Sequence, residues 1–373
     1  MYNLKGLKKE FNITCNAIIS NRFDLDTKVI LFDYYDSLID ILEKNSKHEI
    51  ITSVDFIFDE NYYDLLEERS NYYWKKFINN FIKNKEFHNS FFYELLNNLD
   101  EEVIVDDNEI KLSYKEFIDI LNLFMNSINQ GELFNKVYKS GSIYFSENLY
   151  DDSMGFTLFN PLNKNSCIFV ENSKFNINSL ITSCHEFGHC FDLDNFNLSS
   201  KVYNKYFFIS LYGEVISKLF ERLFLRFLLR EGIYKDSVKS HFMGFEMDNR
   251  DLLTYAFYIS TLSDDRLLYI LNMKDEYNIS DEFDGKDIGD NNLDIIKGLN
   301  HVNIKDAYSY VYGDILSMFL AEDIERDGFS LKTLKEFMNN RINSFDENYI
   351  LESGYTPYEY VKLYDKELQL IKK

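Results

Sequence analysis

The segment SCHEFGH at residues 183–189 decides how this sequence is interpreted. Histidine occurs only six times in 373 residues, yet His185 and His189 stand four positions apart, with Glu186 between them. Positions i and i+4 lie on the same face of an α-helix, so both imidazoles can reach one metal ion. Glu186 is rotated by roughly 100° from His185, beside the open position of such a metal, where a carboxylate can deprotonate a water molecule that the metal acidifies. The segment therefore predicts a catalytic zinc site on a helix.

A catalytic zinc ion needs a third protein ligand in addition to its open position. No third histidine follows at the short spacing that some zinc motifs have, but Glu214 stands 214 − 185 = 29 residues after the first histidine, in a run of helical character. Glu221 lies seven residues further on, on the same face of that helix, and can hold a ligand in place. We expect His185, His189 and Glu214 to bind one zinc ion (Zn2+) per chain.

A small β-sheet is predicted just before the motif helix. Short apolar runs at 142–145, 156–159 and 167–170 are separated by Gly, Asn and Pro, a pattern typical of short strands. Asn178 and Ser179 follow the last run and are expected to cap the helix that carries the zinc motif. The motif is then well inside a helix, as the chemistry requires.

The rest of the chain is predicted to be helical. Only two prolines occur in 373 residues, which favours long helices. Ser113 and Glu116 have the spacing of a capping box, which predicts a helix start. The sequence therefore predicts a mainly α fold in two parts: an N-terminal helical part at 1–137 that forms a covering wall of the cleft, and a catalytic part at 138–373 with the sheet and the motif helix.

The charge and apolar pattern exclude several classes of partner. The chain has 62 acidic and 40 basic residues, a formal net charge of −22, so nucleic acids and anionic membrane surfaces are not expected partners. The richest apolar run, 219–229, is interrupted by Arg222 and Arg226 and is too short for a membrane span. The four cysteines form no CxxC pair, and no apolar signal segment is found near the start. We therefore expect a cytoplasmic protein.

The chain resembles the zinc peptidase family of thimet oligopeptidase and oligopeptidase F. The likeness rests on the motif at 185–189 followed, at the family's spacing, by an E-V-x-S-x-x-x-E pattern at 214–221. It extends to 168–172, which is similar to the family's substrate-binding edge strand, and to 351–357. The resemblance covers about 140–373 and implies a zincin-like helical metallopeptidase. The chain departs from the family at Asp192, where a further histidine is usual, and it is shorter than typical members.

The resemblance also implies roles for residues far along the chain. His301 and the tyrosine-rich run at 308–312 are similar to the family's histidine-then-tyrosine segment, with a register that is shifted by about one residue. Tyr308 and Tyr312 share a helix face because they are four apart. The resemblance implies that Tyr312 donates a hydrogen bond to the developing oxyanion and that Tyr308 or His301 holds the substrate.

The expected function is a zinc-dependent metalloendopeptidase, an oligopeptidase that hydrolyses short unfolded peptides. Glu186 would act as the general base. One alternative is a zinc exopeptidase, a carboxypeptidase or aminopeptidase, with the same site. Another is a non-hydrolytic peptide-binding protein on the same scaffold, against which the presence of Glu186 argues. The charge of −22 suggests a preference for neutral or basic peptides.

Overall fold

The structure is a computed structural model. It describes residues 110–139, 143–146, 154–160, 165–171, 175–195, 203–263, 278–283, 288–300, 304–329 and 355–372, with isolated positions elsewhere. Most of the predicted N-terminal part lies outside the described residues, so the division of the chain at 137 and 138 stays a prediction.

Helices make up most of this described part, and the predicted mainly α fold with a small sheet is confirmed. The α-helices are α1 (Tyr114–Ser127), α2 (Gly131–Lys139), α3 (Ile177–Asn195), α4 (Tyr203–Glu231), α5 (Lys235–Ser260), α6 (Asp290–Gly298), α7 (Ile304–Arg326) and α8 (Pro357–Lys372). The strands are β1 (Ile51–Thr52), β2 (Asp55–Phe56), β3 (Ile143–Ser146), β4 (Gly155–Asn160) and β5 (Asn165–Glu171), and a 3-10 turn spans Ile279–Glu282. None of the described helices has the length and apolarity that a bilayer crossing requires.

The three predicted strands form one sheet in the order β3-β5-β4. Strand β5 is parallel to β3 and antiparallel to β4, so Phe169 of β5 lies between Tyr144 and Phe156. The sequence analysis assigned the edge position to 168–172, and this assignment is wrong. Residues 167–170 are buried almost completely, as a central strand requires. The edge strand next to the motif helix is β4.

Local capping explains where two of the helices begin. Ser113 and Glu116 form the predicted capping box at the start of α1, which confirms that prediction. Helix α3 begins at Ile177, and its cap is Asn176, whose Oδ1 accepts a hydrogen bond of 2.9 Å from the backbone N–H of Ser179. The Oγ of Ser179 accepts one of 3.0 Å from the backbone N–H of Asn176. The expected cap at Asn178 and Ser179 is therefore corrected to a reciprocal pair that begins two residues earlier.

Two glycines allow α4 to lie unusually close to its neighbours. A Cβ atom on Gly188 of α3 would stand 2.5 Å from the Cα of Ser217 on α4. A Cβ atom on Gly313 of α7 would stand 2.9 Å from the carbonyl carbon of Glu214, also on α4. Carbon atoms ordinarily pack at about 3.5–4.0 Å, so only glycine fits at either crossing. Helix α4 is therefore held between α3 and α7 at the level of Glu214.

A buried group of charges fixes α4 farther along. Arg222 is fully buried and its guanidinium pairs with carboxylates from three other helices. Its partners are Glu246 of α5, at 3.0 Å, Asp314 of α7 and Glu367 of α8. Because removing one member of a buried charge group strands the others, such a group resists any sliding of the helices.

Candidate metal centre

Three side chains from two helices converge on one point. The Nε2 atoms of His185 and His189 are 3.2 Å apart. The Oε2 atom of Glu214 lies 3.3 Å from the first and 3.8 Å from the second. The two histidines lie on one face of α3, and the close crossing of α3 and α4 at Gly188 brings Glu214 opposite them.

These separations can be tested against the geometry of a bound zinc ion. Ligand atoms at about 2.1 Å from a tetrahedral zinc lie about 3.4 Å from one another. The three observed separations, 3.2, 3.3 and 3.8 Å, differ from that spacing by no more than a few tenths of an ångström. Two imidazole nitrogens and one carboxylate oxygen are also a common donor set for catalytic zinc. The residues present therefore fit this ion without rearrangement of the backbone.

A second carboxylate supports His185 from behind. The Oε2 atom of Glu221 lies 3.3 Å from Nδ1 of His185, the ring nitrogen that faces away from the ligand cluster. Burial alone would lower the pKa of His185, but the hydrogen bonds and charges of Glu214 and Glu221 outweigh it and raise the pKa to about 10. A proton and a metal ion therefore compete for this imidazole.

The carboxylates of Glu214 and Glu221 both have a lowered pKa despite their burial. Burial alone would raise the pKa of Glu214, but the charges of His189 and His185 and a hydrogen bond from Ser217 hold it well below its ordinary value. The Oγ of Ser217 donates this bond to Oε2 of Glu214 over 2.9 Å. Burial would likewise raise the pKa of Glu221, and the charge of Lys218 together with His185 keeps it low. The centre thus contains two anionic carboxylates, ready to balance a divalent cation.

Glu186 follows His185 on α3 and packs against the sheet. It is 3% exposed, and its Oε2 accepts a hydrogen bond of 2.6 Å from Oγ1 of Thr157 on β4. A Cβ atom on Gly155 of the same strand would stand 3.0 Å from Oε1 of Glu186. Strand β4 therefore packs against this carboxylate and holds it in one orientation.

Comparisons with known proteins are limited to structural similarity at low identity. No known family profile and no curated protein matches this sequence. A provisionally assigned peptidase from Chlamydophila abortus is similar at 13% identity, with a TM-score of 0.49, covering 99% of this chain and 62% of that one. A provisionally assigned oligoendopeptidase F from Bacillus anthracis str. Ames is similar at 12% identity, with a TM-score of 0.45, covering 91% of this chain and 64% of that one. This chain thus spans less than two thirds of the length of either protein.

The predicted substrate-binding residues are only partly visible. His301 lies outside the described residues, and Tyr308 falls on α7 with a side chain that is not described. Tyr312 lies on α7 in the buried core, 4% exposed, one residue before the glycine that approaches Glu214. The roles of these three residues stay predictions. Tyr310, on the same helix, places its ring 5.4 Å from Nζ of Lys218.

Sequence reasoning missed Lys218, a buried cation behind the centre. Its side chain is 10% exposed, and its Nζ lies 3.8 Å from Oε2 of Glu221. A lysine on a helix is expected at the surface, so the residue type alone did not indicate that Lys218 is buried. Its spacing did carry a signal: it stands four residues after Glu214 and three before Glu221, on the face that points to the metal ligands.

Proposed function

We propose that this protein is a zinc-dependent peptidase that hydrolyses short, unfolded peptides at internal bonds. The observation that carries the proposal is the spacing of three ligand atoms, 3.2 to 3.8 Å, contributed by His185, His189 and Glu214. Glu186, which follows His185 on the motif helix, supplies the carboxylate that a hydrolytic site needs and a structural metal site does not.

The residues of the chain divide the proposed reaction among them. When bound, zinc lowers the pKa of a coordinated water molecule and polarises the peptide carbonyl. Glu186 accepts the proton of the attacking water and later delivers it to the leaving amine nitrogen. Thr157 holds the carboxylate of Glu186 in place by donating to Oε2. Glu221 accepts from Nδ1 of His185 and so directs Nε2 to the metal. Tyr312 is proposed as the oxyanion donor.

The edge strand supports peptides as substrates. Strand β4 is the edge of its sheet and contacts the base Glu186 through Thr157. An extended peptide that pairs with a free sheet edge gains backbone hydrogen bonds that do not depend on its sequence. We therefore transfer the substrate-binding role that the resemblance gave to 168–172 to Gly155–Asn160.

Replacement of Glu186 by glutamine tests the mechanism. The variant keeps all three ligands and the size of the side chain, so its zinc content should stay near one ion per chain. Turnover of an internally quenched fluorogenic peptide should fall by about 10²- to 10⁴-fold, the usual contribution of a general base. Asp194→Asn is a matched control, because Asp194 is a half-exposed carboxylate on the same helix that pairs with Lys136. This control should keep wild-type activity.

Two results would contradict the proposal. Hydrolysis by the Glu186→Gln variant at the wild-type rate would refute the mechanism. Purified wild-type protein without zinc, and with no cleavage that a chelator inhibits, would favour the peptide-binding alternative. Mass spectrometry of the products from one mixed peptide separates the remaining alternative, because an endopeptidase releases internal fragments and an exopeptidase a ladder of single-residue losses.

A further inference from the structure

Lys218 is enclosed by three helices directly behind the metal ligands. It lies on α4, and its residue as a whole is 8% exposed. Its Nζ stands 4.6 Å from the centre of the Phe245 ring on α5 and 5.4 Å from that of Tyr310 on α7. It also donates to Oδ1 of Asn249 over 3.4 Å. Aromatic faces attract a cation, so this pocket holds the ammonium group in one place.

The ammonium group is connected to a metal ligand through one carboxylate. Oε2 of Glu221 lies 3.8 Å from Nζ of Lys218 and 3.3 Å from Nδ1 of His185. The same oxygen atom therefore faces the lysine on one side and the imidazole on the other. Glu221 has other rotamers available on an isolated helix, and the lysine charge favours the one that keeps Oε2 between the two groups.

A second contact ties Lys218 to the buried charge group. Asn249, which accepts from Lys218, donates through Nδ2 to Oδ1 of Asp314 over 2.9 Å. Asp314 in turn pairs with the fully buried Arg222. The position of the ammonium group is thus fixed from the core of the protein and not by the solvent. A mobile surface lysine could not orient a carboxylate in this way.

We propose that Lys218 is a positioning residue for the metal centre: it holds Glu221 against Nδ1 of His185 and thereby fixes the orientation of that imidazole toward the metal. This role rests on the proposed function, since it presupposes that His185 binds zinc. Among the described residues, no contact joins Lys218 to the donor atoms of the three metal ligands, whereas Glu221 lies against both Lys218 and His185. An effect that passes through Glu221 is testable by a double-mutant cycle.

The experiment measures the zinc affinity of metal-free protein by competition with a chromophoric chelator at one fixed pH. Lys218→Met keeps the aliphatic stem and removes the charge, and its zinc dissociation constant should rise by about 10-fold, at the low end of the 10- to 100-fold range for residues that orient ligands. Glu221→Gln should raise it at least as much. In the Glu221→Gln background, Lys218→Met should cause no further loss, whereas Lys218→Arg alone should recover most of the wild-type affinity.

A matched control separates positioning from general damage to the fold. Arg226 is a buried cation on the same helix, eight residues away, that pairs with Glu367 and Glu325 and has no described contact with the centre. Arg226→Met should lower the thermal midpoint, as Lys218→Met does, and leave zinc affinity unchanged. If Lys218→Met fails to fold, Lys218→Gln and Lys218→Arg provide the same comparison.

The outcomes distinguish this inference from the proposed function. Wild-type protein that binds no zinc would overturn both. Tight zinc binding by wild type together with equal affinity in Lys218→Met would overturn the role of Lys218 alone. Additive losses in the double variant, or an equal loss of affinity in Arg226→Met, would also overturn it, because either result describes a general destabilisation.

Discussion

Replacing Gly313 by alanine tests how the fold holds Glu214 in place. The Cβ atom of the new side chain would stand 2.9 Å from the carbonyl carbon of Glu214 and 3.0 Å from both its Cβ and its carbonyl oxygen. All three atoms belong to the backbone of α4 or to the root of the side chain, so no rotamer change relieves the contact. The helices α4 and α7 must move apart at the level of the candidate metal ligand.

The size of the effect follows from these distances. Carbon atoms pack at about 3.5–4.0 Å, so the helices must separate by roughly 0.5–1 Å. The carboxylate of Glu214 moves with its backbone, and a metal site tolerates only about 0.2 Å of change in its ligand distances. We expect the free energy of unfolding to fall by about 1–3 kcal/mol, the usual cost of overpacking. Zinc affinity should fall by at least the roughly 10-fold that misplaced ligands cause.

The assay combines urea unfolding of the metal-free protein with zinc affinity from chelator competition. Gly244→Ala on α5 is the control, because Gly244 is exposed and no described atom lies within 4 Å of its would-be Cβ. That variant should bind zinc normally and gain up to about 1 kcal/mol, as alanine is the better helix former. Wild-type stability and zinc affinity in Gly313→Ala would refute the reasoning, because they would mean that α7 does not limit the position of Glu214.

The remaining predictions concern the other close crossing and the buried charges. Gly188→Ala brings Cβ within 2.5 Å of the Cα of Ser217, so urea unfolding should show a loss of about 3 kcal/mol or more, larger than that of Gly313→Ala; an equal or smaller loss would contradict this ranking. Burial raises the pKa of Glu246 above its ordinary value. The native state therefore binds more protons than the unfolded state does, and the free energy of unfolding falls as the pH rises from the ordinary pKa of a glutamate to the raised one. Glu246→Gln, studied by urea unfolding from pH 4.5 to 8, should lack this decline, and parallel curves for variant and wild type would count against it.

The elements of the fold that follow from local patterns could be predicted from the sequence. Short apolar runs bounded by turn residues located the three strands of the sheet, and the spacing of Ser113 and Glu116 located the start of α1. The order of the strands, β3-β5-β4, could not be found in this way, because it depends on pairing between strands and not on the local pattern of any one of them. The sequence did offer one signal: the run at 167–170 is apolar without polar alternation, which suits a central strand better than an edge strand. The structure buries Cys167, Ile168 and Val170 accordingly.

In the candidate site, too, local spacing could be predicted from the sequence and tertiary packing could not. His185, His189 and Glu221 could be placed relative to one another from helical periodicity and the spacing of two consecutive helices, and the structure brings the first two together with Glu214. Thr157 could not be placed, because it reaches Glu186 through packing of the sheet against α3. The spacing of Lys218 on α4 was visible in the sequence, but its burial against the rings of α5 and α7 was not. The sequence analysis treated Arg222 only as an interruption of an apolar run, whereas it is fully buried among carboxylates.

The ion pairs that Arg222 and Glu221 form both depend on the rotation of α4 about its axis. A side chain tip lies about 6 Å from the axis, so a rotation of 20° would displace it by roughly 2 Å. Such a displacement breaks the 3.0 Å contact of Arg222 with Glu246 on one side and the 3.3 Å contact of Glu221 with His185 on the other. Buried charges are weak contributors to net stability, but breaking them is costly. The contacts of Arg222 with Glu246 and of Glu221 with His185 therefore restrict the rotation on which the positions of Glu214 and Glu221 depend. The glycines at 188 and 313 restrict the distance of α4 from α3 and α7. Together these contacts hold the ligand atoms at the spacing that a zinc ion requires.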